Sequence, residues 1–309
     1  MTDAAGSPSR SLARIRAALL AWYRVEHRDF PWRRTRDPWA ILVSEVMLQQ
    51  TQASRVAERF PPFIERFPTP AAMAAATEQE VLVAWSGLGY NRRALSLHRA
   101  ARAVERGGWA GDVSGLQALP GVGPYTARAV AALAFGTAVG VVDTNVRRWL
   151  VRRLGPGEAS TSRELQVLAD ALAAPARDGA EAAAWVHASM EFGARVCRAG
   201  RPRCDACPVA RGCPSRGRAT RLPMARQAPF AGSSRAIRGA VLRVLTGAPA
   251  HRLPAATLAE LLPGSGLDDA LVALDREGLA HRHDGLVHLG PRPAAPAPAP
   301  ADATATIAP

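Results

Sequence analysis

Two carboxylates and four cysteines stand where their chemistry needs a reason. Glu45 lies in the run AILVSEVMLQQTQ, with Ile41 and Leu42 four and three positions before it and Leu48 three after. On a helix this spacing puts the carboxyl on an apolar face. Burial raises a carboxyl pKa, and a carboxyl still protonated at neutral pH is what a general acid needs. Asp143 follows Val139, Gly140, Val141 and Val142 and opens a helix running through Arg147 and Arg148; taken alone it reads as an N-cap. The cysteines, Cys197, Cys204, Cys207 and Cys213, are spaced C-x6-C-x2-C-x5-C, with Arg198, Arg201, Arg203 and Arg211 between and beside them. Four thiolates this close can hold one tetrahedral zinc or one cubane cluster. The single C-x2-C favours iron-sulfur without deciding it, and a site that holds the fold and presents arginines to phosphates is the simpler role.

A third motif, LPGVGPYTARAV from Leu119 to Val130, brackets Val122 with Gly121 and Gly123 and opens a helix with Pro124. The glycines allow a tight hairpin, and proline at the first helical turn leaves the terminal amides facing outward. Such amides, with the partial positive charge of the helix N-terminus, grip a phosphate without reading base sequence.

These residues need elements to hold them. Helical periodicity dominates from Ser11 to about Cys197, predicting an all-α body whose helices stop at the prolines and glycines, Pro61 and Pro62 among them. Leu12, Ile15, Leu19 and Trp22 mark one face of an N-terminal helix. The expected organisation is an N-terminal helix (1–37) belonging to a cluster lobe (144–222), and a six-helix lobe with the hairpin (38–143). A linker (223–234), a winged-helix-like unit (235–290) and a disordered Ala/Pro tail (291–309) complete it. Within the winged-helix-like unit, 235–246, 255–262 and 266–277 read as helices and 279–289 as a hairpin turning at Asp284-Gly285.

All 39 basic residues are arginine, against 26 acidic ones, for a net charge of +13 and a pI of about 11.2. The excess points to a polyanion, nucleic acid above all. No apolar run is long enough to span a bilayer. Clustered cysteines suit a metal or cluster site in a reducing compartment better than disulfides, so a cytoplasmic, nucleoid-associated location is expected.

The runs RDFPWRRTRDPWAILVSEVMLQQTQ from Arg28, GLGYNRRALSLHRAA from Gly87, LPGVGPYTARAV, VVDTNVRR from Val141 and the cysteine spacing occur in this order. Together they resemble the MutY-type adenine DNA glycosylases, of the iron-sulfur branch of the helix-hairpin-helix/endonuclease III superfamily, over roughly the first 220 residues. The resemblance implies a two-lobed fold with a [4Fe-4S] cluster loop, a monomer, and duplex DNA with a mispaired adenine as partner. It implies that Glu45 protonates the extruded adenine and that Asp143 stabilises the oxocarbenium sugar, directly or through a transient covalent adduct. Sugar hydrolases place two carboxylates about a glycosidic bond for the same charge. By the same resemblance Tyr125 hydrogen-bonds near that centre and Asn145 positions Asp143 or its water. Gln50 and Tyr90 enter the base stack as the adenine is flipped out, and Trp32 and Arg33 line the adenine pocket. Gly121, Val122 and Gly123 hold DNA, and the four cysteines ligate the cluster.

Endonuclease III relatives carry a Schiff-base lysine where Tyr125 stands, and this chain has no lysine, so a monofunctional enzyme without lysine-dependent lyase activity is expected. Thymine-removing relatives that act on T:G mismatches share Tyr125 and are the nearest alternative; a non-catalytic iron-sulfur DNA sensor is a more distant one. The sequence departs from the family at Thr144, where glycine is usual, at His187, where glutamine or glutamate is common, and beyond Leu222, where it resembles no Nudix-like domain.

Overall fold

Capping side chains and prolines cut the chain into short helices. The structure, a computed structural model, describes residues 8–155, 160–218 and 232–293. It divides into two units, Met1–Ala228 and Pro229–Pro309. The linker expected at 223–234 falls outside the described residues except for its last three, and the tail falls outside from 294 onward.

The first unit carries helices α1 (Pro8–Glu26), α2 (Pro38–Leu48), α3 (Ala53–Arg66), α4 (Pro70–Ala75), α5 (Glu78–Ala84), α6 (Arg92–Gly107), α7 (Val113–Gln117), α8 (Pro124–Leu133), α9 (Thr144–Leu154), α10 (Ser162–Ala173) and α11 (Gly179–Arg195). Asp37 accepts from the Ala40 amide and Thr77 forms a capping box with Glu80, so α2 and α5 begin where their caps stand. Between 38 and 143 the chain forms seven helices, of which α4 and α7 are short ones capped by Thr69 and Asp112. Pro61 and Pro62 do not end α3 but lie inside it. Both are exposed, so the carbonyls they fail to bond can meet water, while Val56, Phe60 and Phe63 bury the opposite face.

α2 is buried along almost its whole length, from Trp39 to Met47, and packs against α3, α6 and α8. A second core joins Ile15 and Leu19 of α1 to Trp149 of α9, Leu165 of α10, and Trp185 and Phe192 of α11. Fully burying side chains of this size is worth about 1.5–3 kcal/mol each, so α1 is a structural part of this core. Trp85 and Trp149 are completely buried.

The second unit places α12 (Ser234–Gly247), α13 (Ala255–Leu261) and α14 (Leu267–Arg276) beside a sheet of order β1-β3-β2, with β1 (Arg252–Pro254), β2 (Ala280–His283) and β3 (Leu286–Leu289) antiparallel. Asp284 and Gly285 both take positive φ, 48° and 74°, as a two-residue hairpin turn requires. This is the winged-helix order, with one short strand, β1, added to the expectation. Residues 235–290 hold six arginines and six carboxylates; the positive excess of the chain lies outside them.

Candidate active site

Glu45 is 4% exposed near the C-terminal end of α2, and its Oε2 has no hydrogen-bond partner among the described residues. α8 packs across α2 and brings Tyr125 to the Glu45 carboxyl. The Tyr125 hydroxyl also donates toward Met190 Sδ at 3.9 Å. Burial lifts the Glu45 pKa from 4.5 to about 7; the Tyr125 hydroxyl and the Arg33 charge oppose the rise, and the charge of Asp143 adds to it. Tyr125 is held well above its usual value, by burial first and then by the two carboxyls, and so stays a neutral donor.

Asp143 caps α9: Oδ1 accepts from the Val146 amide at 2.6 Å, and Oδ2 accepts from Asn145 Nδ2 at 2.7 Å. The N-cap reading is therefore right, and the same carboxyl also lies close enough to Glu45 for its charge to raise the Glu45 pKa. Burial raises its pKa against the pull of those two donors and of Arg148. Asn145 is held in turn by Arg148, whose Nη2 donates to Asn145 Oδ1 at 2.8 Å and to the Gly193 carbonyl at 2.6 Å. The Nε of Arg148 donates to the Cys197 carbonyl at 2.6 Å. One guanidinium thus spans from the cysteine segment to the residue that orients Asp143. Thr144 is exposed, and nothing in this network depends on a glycine there.

The remaining wall comes from the segment before α2 and from α11. Arg33 donates to Glu191 Oε2 at 2.8 Å and lies over the Tyr23 and Phe30 rings. Glu191 is 1% exposed and also takes Arg28 at 2.7 Å. Burial alone would raise its pKa, but the two arginines hold it at about 2. His187 stacks on Tyr23 at 6.4 Å, and burial together with Arg33 holds it at about 3, a neutral ring. Trp32 is buried between Phe30, stacked at 4.7 Å, and the edge of Phe60.

In the hairpin between α7 and α8, Gly121 needs to be glycine twice over: its φ is +77°, and a Cβ would lie 2.5 Å from Ser96 Cβ. Gly123 is different. Its φ is −84° and a Cβ would meet nothing within 4 Å, so the turn itself does not demand glycine there. The Val122 side chain is buried, and its amide closes the turn on the Leu119 carbonyl at 3.1 Å.

Gln50 and Tyr90 are exposed, and both have positive φ, 56° and 49°. The four cysteines form no disulfide, and all border one cavity with Arg152, Val196, Pro202 and Val209. Arg152 donates to Cys197 Sγ at 3.8 Å and the Gly217 amide to Cys204 Sγ at 3.5 Å.

Residues 43–174 match the model of the HhH-GPD superfamily of base excision DNA repair proteins. The chain is 45% identical over 243 residues to the adenine DNA glycosylase of Mycobacterium tuberculosis, covering 74% of this chain and 78% of the relative. This chain belongs to the adenine DNA glycosylase family. Its human relative, also an adenine DNA glycosylase, is 42% identical over 235 residues, which are 71% of this chain and 42% of the human protein. A solved thermostable thymine-DNA glycosylase is similar at 30% identity and a TM-score of 0.63, covering 68% of this chain and 98% of that one.

For this adenine DNA glycosylase family member, the sequence reading missed Tyr23, Arg28, Met190 and Glu191. Glu191 carried one usable signal, a carboxylate embedded in the apolar stretch from Trp185 to Val196. Among the described residues, no helix is long and apolar enough to cross a membrane.

Proposed function

We propose that this chain is a monofunctional glycosylase that removes adenine mispaired with 8-oxoguanine or guanine in base excision repair, acting as a monomer on duplex DNA. The observation that carries the reading is Glu45: a buried carboxyl protonated up to about pH 7, with one oxygen unpartnered, beside Tyr125 and Asp143. Burial raises both carboxyls, but Asp143 also receives two short hydrogen bonds that favour its anion, and such a pair divides into acid and base.

In the proposed reaction Glu45 gives its proton to a ring nitrogen of the extruded adenine, and the glycosidic C–N bond breaks with its electron pair leaving on the base. The Asp143 carboxylate stabilises the oxocarbenium sugar. Water then adds to the anomeric carbon, and its proton passes to the Asp143 carboxylate, which Asn145 orients, leaving an abasic site and free adenine. Arg33, Glu191 and the neutral His187 form the polar wall that the base would face. The unfilled space at Gly123 and the amides opening α8 favour a phosphate. With no lysine in the chain, no side chain can form the Schiff base of a lysine-dependent lyase.

The cysteines fit a [4Fe-4S] cluster better than one zinc. All four thiols border one cavity, and their spacing has a single C-x2-C where zinc ribbons pair two. When bound, the cluster cross-links this segment of the chain, and Arg148 carries that order to Asn145. Iron and acid-labile sulfide in equal amounts would support this assignment; stoichiometric zinc would overturn it. The activity is tested by Asp143→Asn, which should abolish excision while duplex binding is retained. Undiminished excision would overturn the role of Asp143.

A further inference from the structure

Arg93 opens α6 in a run, Arg92, Arg93, Arg99 and Arg102, that reads as a solvated face. The structure half-buries it and gives its guanidinium acceptors from two separate turns. Nη1 donates to the Val46 carbonyl at 2.8 Å, to Met47 at 3.0 Å and to Gln49, at the end of α2. Nη2 donates to Thr51 Oγ1 at 3.2 Å and crosses to the Leu88 and Gly89 carbonyls at 3.2 and 2.9 Å. The Tyr90 and Trp85 rings lie 5.3 and 5.4 Å from its Cζ. Burial lowers its pKa to about 10, with only Tyr90 pulling the other way. The charge is met by carbonyl dipoles and ring faces.

A plain C-cap of α2 would need only the Nη1 contacts. The second nitrogen reaches the other turn, and the two turns it joins carry Gln50 and Tyr90, two of the five non-glycine residues with positive φ among the described residues. Side chains held in that backbone region persist where surrounding contacts fix them. Arginine suits the task because its planar fork presents donors in fixed directions to both turns, which an ammonium group does not.

We propose that Arg93 is a positioning residue that locks the turn of Gln50 to the turn of Tyr90, so that both side chains enter the base stack as one preformed wedge. Arg93 then governs how fast adenine is extruded and leaves the bond-breaking step to Glu45 and Asp143. This rests on the reading of Gln50 and Tyr90 as stack-entering residues.

The test compares the wild-type chain with Arg93→Lys, which keeps the charge and loses the fork, in single-turnover excision. One substrate pairs adenine with 8-oxoguanine; the other places it opposite an abasic analogue, where extrusion costs little. 2-Aminopurine beside the adenine reports unstacking. Arg93→Lys should slow unstacking and excision by roughly tenfold or more on the paired substrate, and by less than about threefold on the unpaired one. The pH midpoint of excision should not move, since Glu45 is untouched. Equal losses on both substrates, a shifted midpoint, or no loss on either would overturn the proposal. Gln50→Ala and Tyr90→Ala separate the two levels. If neither slows unstacking, the wedge reading itself fails; if they do and Arg93→Lys does not, only the role of Arg93 fails. Should Arg93→Lys not fold, Thr51→Val decides, as it removes one acceptor of the clamp together with the Thr51 hydroxyl's own bond to the Leu88 carbonyl at 3.4 Å: slower unstacking on the paired substrate alone supports the proposal, and an unchanged rate overturns it.

Discussion

Replacing Glu45 with glutamine should stabilise the folded chain while removing its activity. The carboxyl is 4% exposed, Oε2 has no partner among the described residues, and its pKa rises from 4.5 to about 7. At 1.36 kcal/mol per unit, keeping it ionised above pH 7 costs the native state roughly 3 kcal/mol. Between pH 4.5 and 7 the folded chain holds this proton and the unfolded chain does not, so the contribution of Glu45 to stability falls as pH rises through that window and is level on either side. Glutamine is neutral throughout. In urea denaturation Glu45→Gln should be more stable than wild type by up to about 3 kcal/mol at pH 8, with the gap closing toward pH 4.5. Its excision rate should fall by about 10²-fold or more, the usual worth of a general acid. The wild-type rate should itself decline about tenfold per pH unit above 7. A variant less stable than wild type at pH 8, or a stability gap that ignores pH, would refute the account of Glu45 as a desolvated, proton-holding carboxyl.

The two hairpin glycines should respond differently. Gly121→Ala meets both a φ of +77° and Ser96, and thermal denaturation should show a loss of about 1–3 kcal/mol. Gly123→Ala should melt like wild type, yet bind duplex several-fold more weakly by fluorescence anisotropy, because its methyl fills the space left for a phosphate. Arg148→Gln removes contacts to Asn145, Gly193 and Cys197, and should lower single-turnover excision about tenfold with duplex affinity unchanged. An unaffected rate would mean that Asn145 orients Asp143 without its help.

What the sequence made legible was local. Glu45 stood out because an ionisable group on an apolar helix face has few reasons to be there, and Asp284-Gly285 because two successive positive-φ positions name their own turn. Asp143 was ambiguous, as an N-cap and a catalytic carboxylate use the same residue at the same place. Long-range closure was hidden: Glu191 meets Arg28 and Arg33 from more than 150 residues away, and in its own helix it is one charge among several. Arg93 was hidden because nothing in the pair Arg92-Arg93 tells which member turns inward. β1 is three residues ending in proline, too short for alternation to show. The prolines of α3 were read as stops because periodicity does not say whether a lost hydrogen bond faces water. The distinction between Gly121 and Gly123 depends on Ser96, a neighbour brought close only by the fold.

The most direct measurement offers purified protein end-labelled duplexes with adenine opposite 8-oxoguanine, adenine opposite guanine, or thymine opposite guanine, each with and without hot alkali. The account predicts cleavage at adenine that depends wholly on alkali, since the chain makes an abasic site and has no lysine to cut it. Cleavage at thymine instead would contradict adenine specificity, strand scission without alkali would contradict a monofunctional enzyme, and intact duplexes bound tightly would contradict catalysis altogether.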